Sequence, residues 1–449
     1  MRLRRLSLLL AIPALLAVHA CTDPAEESAN NGGNNATNNG DNNGSAGGEL
    51  LLSNLPRDTA PNASDAEVGE VADGNTAFGL EFYALLRQDE PGNIFFSPYS
   101  MTSALAMTYG GARGNTAAQM ESALHLTLGQ AGTHRGINTL DLALAGRPAE
   151  STSEGDPFEL RVTNAIWGAV GYPFEGDYLD LLAVNYGAGL RTLDFYNAPE
   201  PSRLTINGWV EDQTNDRIKD LIPEGAISSD TRLVLTNAIY FNASWDEPFE
   251  VEATSPAAFH VDADTETTVD MMHQTGNFAY GEFDGGQALS MSYGGGLLSM
   301  VVLLPEEGGM DALESSLTAA RLEEIASGMG GHEVAISFPK FEFEAPLIVN
   351  AYLQALGMTD AFDSSVADFS GIVDPSVETV FISRVIHKAF VKVDEEGTEA
   401  AAATAVILDS TTGAPDEPVP FTADRPFIFL IRDNPTGAVL FVGRVVDPG

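Results

Sequence analysis

The 449-residue chain contains a single cysteine, Cys21, so it can form no internal disulfide. Packing alone must hold its fold, even in an oxidising compartment. Basic residues are scarce: 22 Lys and Arg stand against 64 Asp and Glu, for a formal charge of −42. Such a chain repels phosphate backbones and anionic lipid faces, which removes nucleic acid and bare membrane surface from its partners and favours solubility. Histidine is sparse as well. His125, His134, His260 and His273 are scattered without ligand spacing, and His332-Glu333 lacks a second histidine four residues on. No metal site and no cofactor is expected. There is no Gly-x-Ser-x-Gly elbow and no phosphate loop ending Gly-Lys-Ser/Thr, so catalysis by this chain is not expected either. Gly294–Gly296 reads as a hairpin turn between strands.

What is present begins with an export signal. Arg2, Arg4 and Arg5 precede an apolar run from Leu6 to Val18, too short for a membrane span, and Val18-His19-Ala20-Cys21 follows. Residues 1–20 therefore read as a signal peptide. The Cys21 context resembles a bacterial lipoprotein site, with His19 an unusual occupant; an ordinary signal with an incidental cysteine is the alternative. Thr22, not Asp, follows the cysteine, which by the lipoprotein sorting pattern points to the outer membrane. Residues 21–71 are assigned to a linker, because 30–48 are mostly Asn and Gly and cannot offset their own ordering entropy.

From residue 72 to 449 the pattern is globular. Helical spacing covers Ala77–Arg87, Ser103–Leu126 with a break at Gly110-Gly111, and Leu204–Ile222. Strands are expected at Arg232–Phe241, Leu297–Leu304, Glu333–Phe338, Val385–Val393 and Phe427–Val446. Several are apolar on both faces, as central strands covered by helices would be. Helices come early and strands late, which argues for α+β.

Residues 395–412 stand apart. At a period of two, one face carries Thr398, Ala400, Ala402, Thr404, Val406 and Leu408, small at first, then apolar, and free of charge. Proline is absent from Glu395 to Gly413, yet Pro415, Pro418 and Pro420 follow, as in a loop. Pattern alone leaves two readings: a movable latent strand, or an exposed alanine-rich helix.

Several motifs resemble the serpin family and occur in its order. They are Asn93–Ser100, Ala104–Met120, Thr236–Trp245, Phe338–Phe341, Asp368–Gly371, His387–Ala389 and Asp424–Phe427. The resemblance spans residues 72–449. It implies an α+β fold of about nine helices and three β-sheets with an exposed reactive-centre loop. It also implies that Trp245, Lys340 and Glu395 form the breach, at the top of the large sheet, and that Ser97, Ser100, Asn237 and His387 form the shutter beneath its central strands. The hinge would be Glu395, Gly397, Thr398, Ala400, Ala401, Ala402, Ala403 and Thr404.

The function implied is suicide inhibition of extracellular serine endopeptidases. A protease cleaves the loop and is held as a covalent acyl-enzyme, residues 397–411 insert as a strand, and the protease is distorted. Counting sixteen residues on from Glu395 puts the reactive bond at Thr411–Thr412; counting back from Pro426-Phe427 puts it near Gly413–Pro415. Ser410, Thr411 and Thr412 are small and uncharged, which suits the shallow pockets of elastase-like or subtilisin-like enzymes. The alternatives are a non-inhibitory binding or chaperone-like serpin and an inhibitor of papain-like cysteine proteases. The protein is expected to be a monomer that meets the membrane only through an N-terminal lipid anchor.

Overall fold

The computed structural model describes residues 48–151, 159–398 and 417–449. The signal segment, Cys21, Ala400–Thr404, Thr411 and Thr412 lie outside these residues. The described residues form nine α-helices and two hydrogen-bonded sheets, of seven and nine strands. The fold is α+β, as expected. The second and third sheets of the expected three are hydrogen-bonded into one, because the strand Glu266–Phe283 pairs with Ser255–His260 near one end and with Gly286–Tyr293 at the other.

The seven-stranded sheet carries the site. Its two innermost long strands, Leu233–Ser244 and Ile382–Val393, run parallel, from Ile382 opposite Leu233 to Ala389 opposite Ile239. Leu233–Ser244 shows how period two builds a two-sided wall. Leu233, Leu235, Ile239, Phe241 and Ala243 join the core behind the sheet. Val234 and Ala238 join Ile386 in front, under Ile206 and Val210 of the helix Pro199–Gln213. Behind the sheet lies the helix Pro98–Tyr109, every residue of which is buried. Ser97 caps it by accepting the Ser100 N–H at 3.1 Å, and Pro98 sits in its first turn, where a missing N–H costs nothing. The break expected at Gly110-Gly111 falls between this helix and the next, Gly114–Ala123. A Cβ on Gly111 would lie 2.1 Å from Ile372 Cγ1, so glycine is needed where the segment carrying Ile372 packs on this break.

Three expectations change. Residues 48–71, placed in the linker, are folded: Leu50–Leu51 is an edge strand of the seven-stranded sheet, and a helix starts at Asp65. The start signal is a capping box, in which Ser64 and Glu67 each bond the other's backbone N–H. The helix expected over Leu204–Ile222 ends at Gln213, because Asn215, Asp216 and Asp220 take left-handed backbone conformations. The run Phe427–Val446 is a hairpin of Phe427–Asp433 and Val439–Val445, whose turn contains Pro435 and Gly437 at φ 75°. Gly294–Gly296, all at positive φ, join Gly286–Tyr293 to Leu298–Pro305 as expected.

Candidate functional site

The site is the seam between Leu233–Ser244 and Ile382–Val393. Its upper end is held apart by two residues of the chain itself. Gly397 pairs antiparallel with Ser244, and Thr398 pairs antiparallel with both Ala243 and Val393. The chain therefore enters the sheet at Gly397 and Thr398, above the parallel ladder that ends at Ala389 and Ile239. A Cβ on Gly397 would stand 2.1 Å from Ala243 O, so glycine is needed where the chain slips between the strands. Thr398, assigned by alternation to the buried face, is 1% exposed. Its hydroxyl shares a 2.8 Å hydrogen bond with the Tyr293 hydroxyl. Burial drives the pKa of Tyr293 well above the ordinary phenol value, so it remains a neutral partner.

Around this entry point the structure brings together Trp245, Lys340 and Glu395. Lys340 Nζ lies 2.8 Å from Glu395 Oε2, and Thr254 donates to Glu395 Oε1 at 2.8 Å. Burial pushes the Glu395 carboxyl pKa up, but the bonds from Lys340 and Thr254 outweigh it and leave the group below its usual range. Trp245 stacks on Tyr293 at a centroid distance of 4.3 Å. Its indole Nε1–H donates to Asp394 O at 3.1 Å, and its backbone N–H to Glu396 O at 2.9 Å. The turn that aims the hinge into the sheet is thus fixed at Asp394, Glu395 and Glu396. Sequence reading missed Tyr293 and Thr254; both become visible only when the nine-stranded sheet is folded against the seam.

Lower down, Ser97, Ser100, Asn237 and His387 also converge, joined by Asn164. Asn164, Asn237 and His387 occupy one rung across three neighbouring strands. His387 is fully buried, and burial lowers its pKa to about 3. The Ser97 N–H donates to His387 Nε2 at 3.1 Å, so the proton sits on Nδ1 and points to Asn237 Oδ1. Asn237 Nδ2 in turn donates to Ser100 Oγ and Asn164 Oδ1, and Ser97 Oγ donates to Leu440 O at 2.6 Å. The His387–Asn237 bond crosses the seam. Among the described residues no group of three or more His, Cys, Asp or Glu could hold a metal ion.

Known proteins resemble this chain over most of its length. The profile of the family described as Serpin (serine protease inhibitor) matches residues 73–448. Human leukocyte elastase inhibitor is 39% identical over 389 residues, covering 84% of this chain and all of that protein. A serpin-like protein of Thermococcus kodakarensis is 41% identical over 399 residues, covering 88% of this chain and 90% of its own length. Among solved structures, human kallistatin superposes with a TM-score of 0.73 at 31% identity, covering 86% of this chain and 99% of that one. Human thyroxine-binding globulin gives 0.76 at 28%, covering 85% and 99%. A family profile matched over nearly the whole described body, together with relatives of 39% and 41% identity, shows that this chain belongs to the serpin family.

Proposed function

We propose that the chain is an inhibitor of extracellular serine endopeptidases that acts by suicide and is not itself an enzyme. The observation that carries this reading is the seating of Gly397 and Thr398 as antiparallel rungs above a seam that is otherwise parallel. The protease serine Oγ attacks the carbonyl carbon of Thr411, the Thr411–Thr412 bond breaks, and the proton leaves on the new Thr412 amine. The chain upstream of the cut is then free at one end and remains as an ester on the protease.

Extending the observed register places Thr404 opposite both Asn237 and His387, and Leu408 opposite Leu233. Twelve residues, 397–408, then span the twelve-residue strand Leu233–Ser244. Asp409–Thr411 emerge beyond its lower end with the protease attached. Insertion replaces one parallel ladder by two antiparallel ones. On the order of 10 added hydrogen bonds at about 1 kcal/mol each give a drive near ~10 kcal/mol, comparable with a domain's whole stability. That drive distorts the protease before water resolves the ester.

Small uncharged residues at 410–412 support elastase-like or subtilisin-like targets, in keeping with a leukocyte elastase inhibitor among the relatives. Further proposals are export by residues 1–20, lipidation at Cys21, outer-membrane anchorage and a monomeric state.

The test is to incubate the protein with elastase-like and subtilisin-like proteases and run denaturing gels. A boiling-resistant band is expected at the summed mass less that of the released fragment 412–449, which no covalent bond holds. Loop cleavage without such a band overturns the inhibitory reading and favours a binding role.

A further inference from the structure

The segment Gly48–Asp58 has no composition that marks it as structural, yet it is built into the body at three points. First, Leu50 and Leu51 pair antiparallel with Arg191 and Leu190, the outer edge of the seven-stranded sheet. Thr192 N–H donates to Glu49 O at 2.8 Å, and Glu49 N–H donates to Thr192 Oγ1 at 3.1 Å. Second, the segment is held on the helix Gly176–Tyr186, where Ser53 Oγ donates to Asp180 and Asp58 N–H donates to Val184 O at 2.9 Å. Third, Arg57 reaches the helix Gly129–Glu150. Its Nε donates to Asn138 Oδ1 at 2.9 Å and its Nη2 pairs with Asp141, while Asn138 Nδ2 returns a bond to Asp58 O at 2.8 Å.

The body is shaped to receive this segment. A Cβ on Gly189 would stand 2.4 Å from Leu51 O, and one on Gly187, already at φ 61°, would stand 3.0 Å from Arg57 Cδ. Glycine at both places leaves the groove open. Asp141 is shared: its second oxygen accepts the Tyr99 hydroxyl at 3.0 Å, and Tyr99 belongs to the buried helix beneath the seam.

The sheet order makes the consequence mechanical. Moving inward from the edge come Leu50–Leu51, Leu190–Leu193, Glu159–Ala169 and Leu233–Ser244, and then the seam. For the seam to part, these strands must shift against the helix Pro98–Tyr109 behind it. Gly48–Asp58 ties the outermost of them to the helices Gly176–Tyr186 and Gly129–Glu150, the second of which holds Tyr99 of that buried helix through Asp141. We propose that Gly48–Asp58 is a strap that latches this half of the sheet and sets how fast the seam opens. The inference rests on the inhibitory reading, because only an inserting strand requires the seam to open.

The experiment uses the full chain with Gly189→Ala, whose methyl displaces Leu51, and separately Arg57→Gln, which removes the ion pair without touching the sheet. Hydrogen exchange over residues 49–58 reports whether the strap is loosened. The rate at which the uncleaved protein takes up a synthetic peptide of residues 397–408, followed by its rise in melting temperature, reports seam opening. Both variants are expected to exchange faster at the strap and to take up peptide at least about threefold faster than wild type. Faster exchange with wild-type uptake overturns the strap, whereas a wild type that takes up no peptide at all overturns the inhibitory reading itself. Should Gly189→Ala not fold, Arg57→Gln carries the same two readouts.

Discussion

At the scale of single residues, His387 is the group on which the seam's hydrogen bonding depends. It works only as a neutral ring, accepting from the Ser97 N–H at Nε2 and donating from Nδ1 to Asn237. Its folded pKa of about 3 lies below the ordinary 6.5, so between those values the unfolded chain binds more protons than the folded one. The stability His387 confers is complete above pH 6.5 and is lost as pH falls towards 3. The slope is about 1.4 kcal/mol per pH unit, so roughly 2 kcal/mol should disappear between pH 6.5 and 5 from this residue. His134, lowered by burial to about 4, adds a second loss over much of the same window. His387→Gln keeps a donor and an acceptor but does not titrate. Urea unfolding at pH 7 and at pH 5 should therefore show a markedly smaller loss for the variant. An equal loss in both proteins would show that His387 is not the sensor. Four members of this cluster were legible in the sequence because family-like motifs surround them. Asn164 was not: it lies among Arg161, Thr163 and other polar positions of its strand and stands out only once pairing sets it beside Asn237.

Among the elements, the hinge strand Gly397–Thr398 is the one whose sequence and position say the most. Thr398 is buried against Tyr293, with Trp245 stacked behind. An arginine in its place would bury a charge beside Tyr293 and Trp245, which costs more than leaving the sheet to solvate it. Thr398→Arg is expected to be cleaved by the target protease at wild-type rates while forming at least tenfold less stable complex on gels. Full inhibition by this variant would show that the hinge starts elsewhere. Further along, Thr404 arrives opposite Asn237 and His387 by the extended register. Insertion there separates those two groups and must offer each a replacement, which a hydroxyl can do and a methyl cannot. Thr404→Val should lower the melting temperature of the cleaved form while leaving the uncleaved form unchanged. A cleaved form as stable as wild type would count against this register.

Period-two alternation made the hinge and the long strands readable, since both are set by which face is buried. The turn that splits Phe427–Val446 was obscured by apolar residues on either side, although Pro435 and Gly437 mark it. The strap was hidden because two paired residues carry no period, and because the glycines that make room for it lie more than a hundred positions away.

At the scale of the whole molecule, stability has to come from non-covalent packing, hydrogen bonds and ion pairs, since one cysteine cannot make an internal bridge. On the proposed reading the native arrangement leaves part of that potential unused. Its two innermost long strands make seven parallel rungs with each other, and among the described residues Gly397 and Thr398 alone lie between them at the top. A strand running the full length of the seam would pair on both sides in the antiparallel sense, which is also the more stable pairing per residue. It would bury the face from Thr398 to Leu408 as well. On the proposed reading the uncleaved chain cannot reach this state, because the segment 399–416 is tied to the body at both ends: at Glu395 on one side, and at Val419–Thr422, paired with Val334–Ser337, on the other. A cut at the proposed Thr411–Thr412 bond removes that constraint without changing any other covalent bond. A drive of the order of 10 kcal/mol in a chain of this size corresponds to a rise in melting temperature of at least about 10 °C. Calorimetry before and after a nick made by a protease that cleaves without being trapped measures this directly. A clean cut that leaves the transition in place would mean that the described fold is already the chain's lowest state, with nothing stored to disable an enzyme.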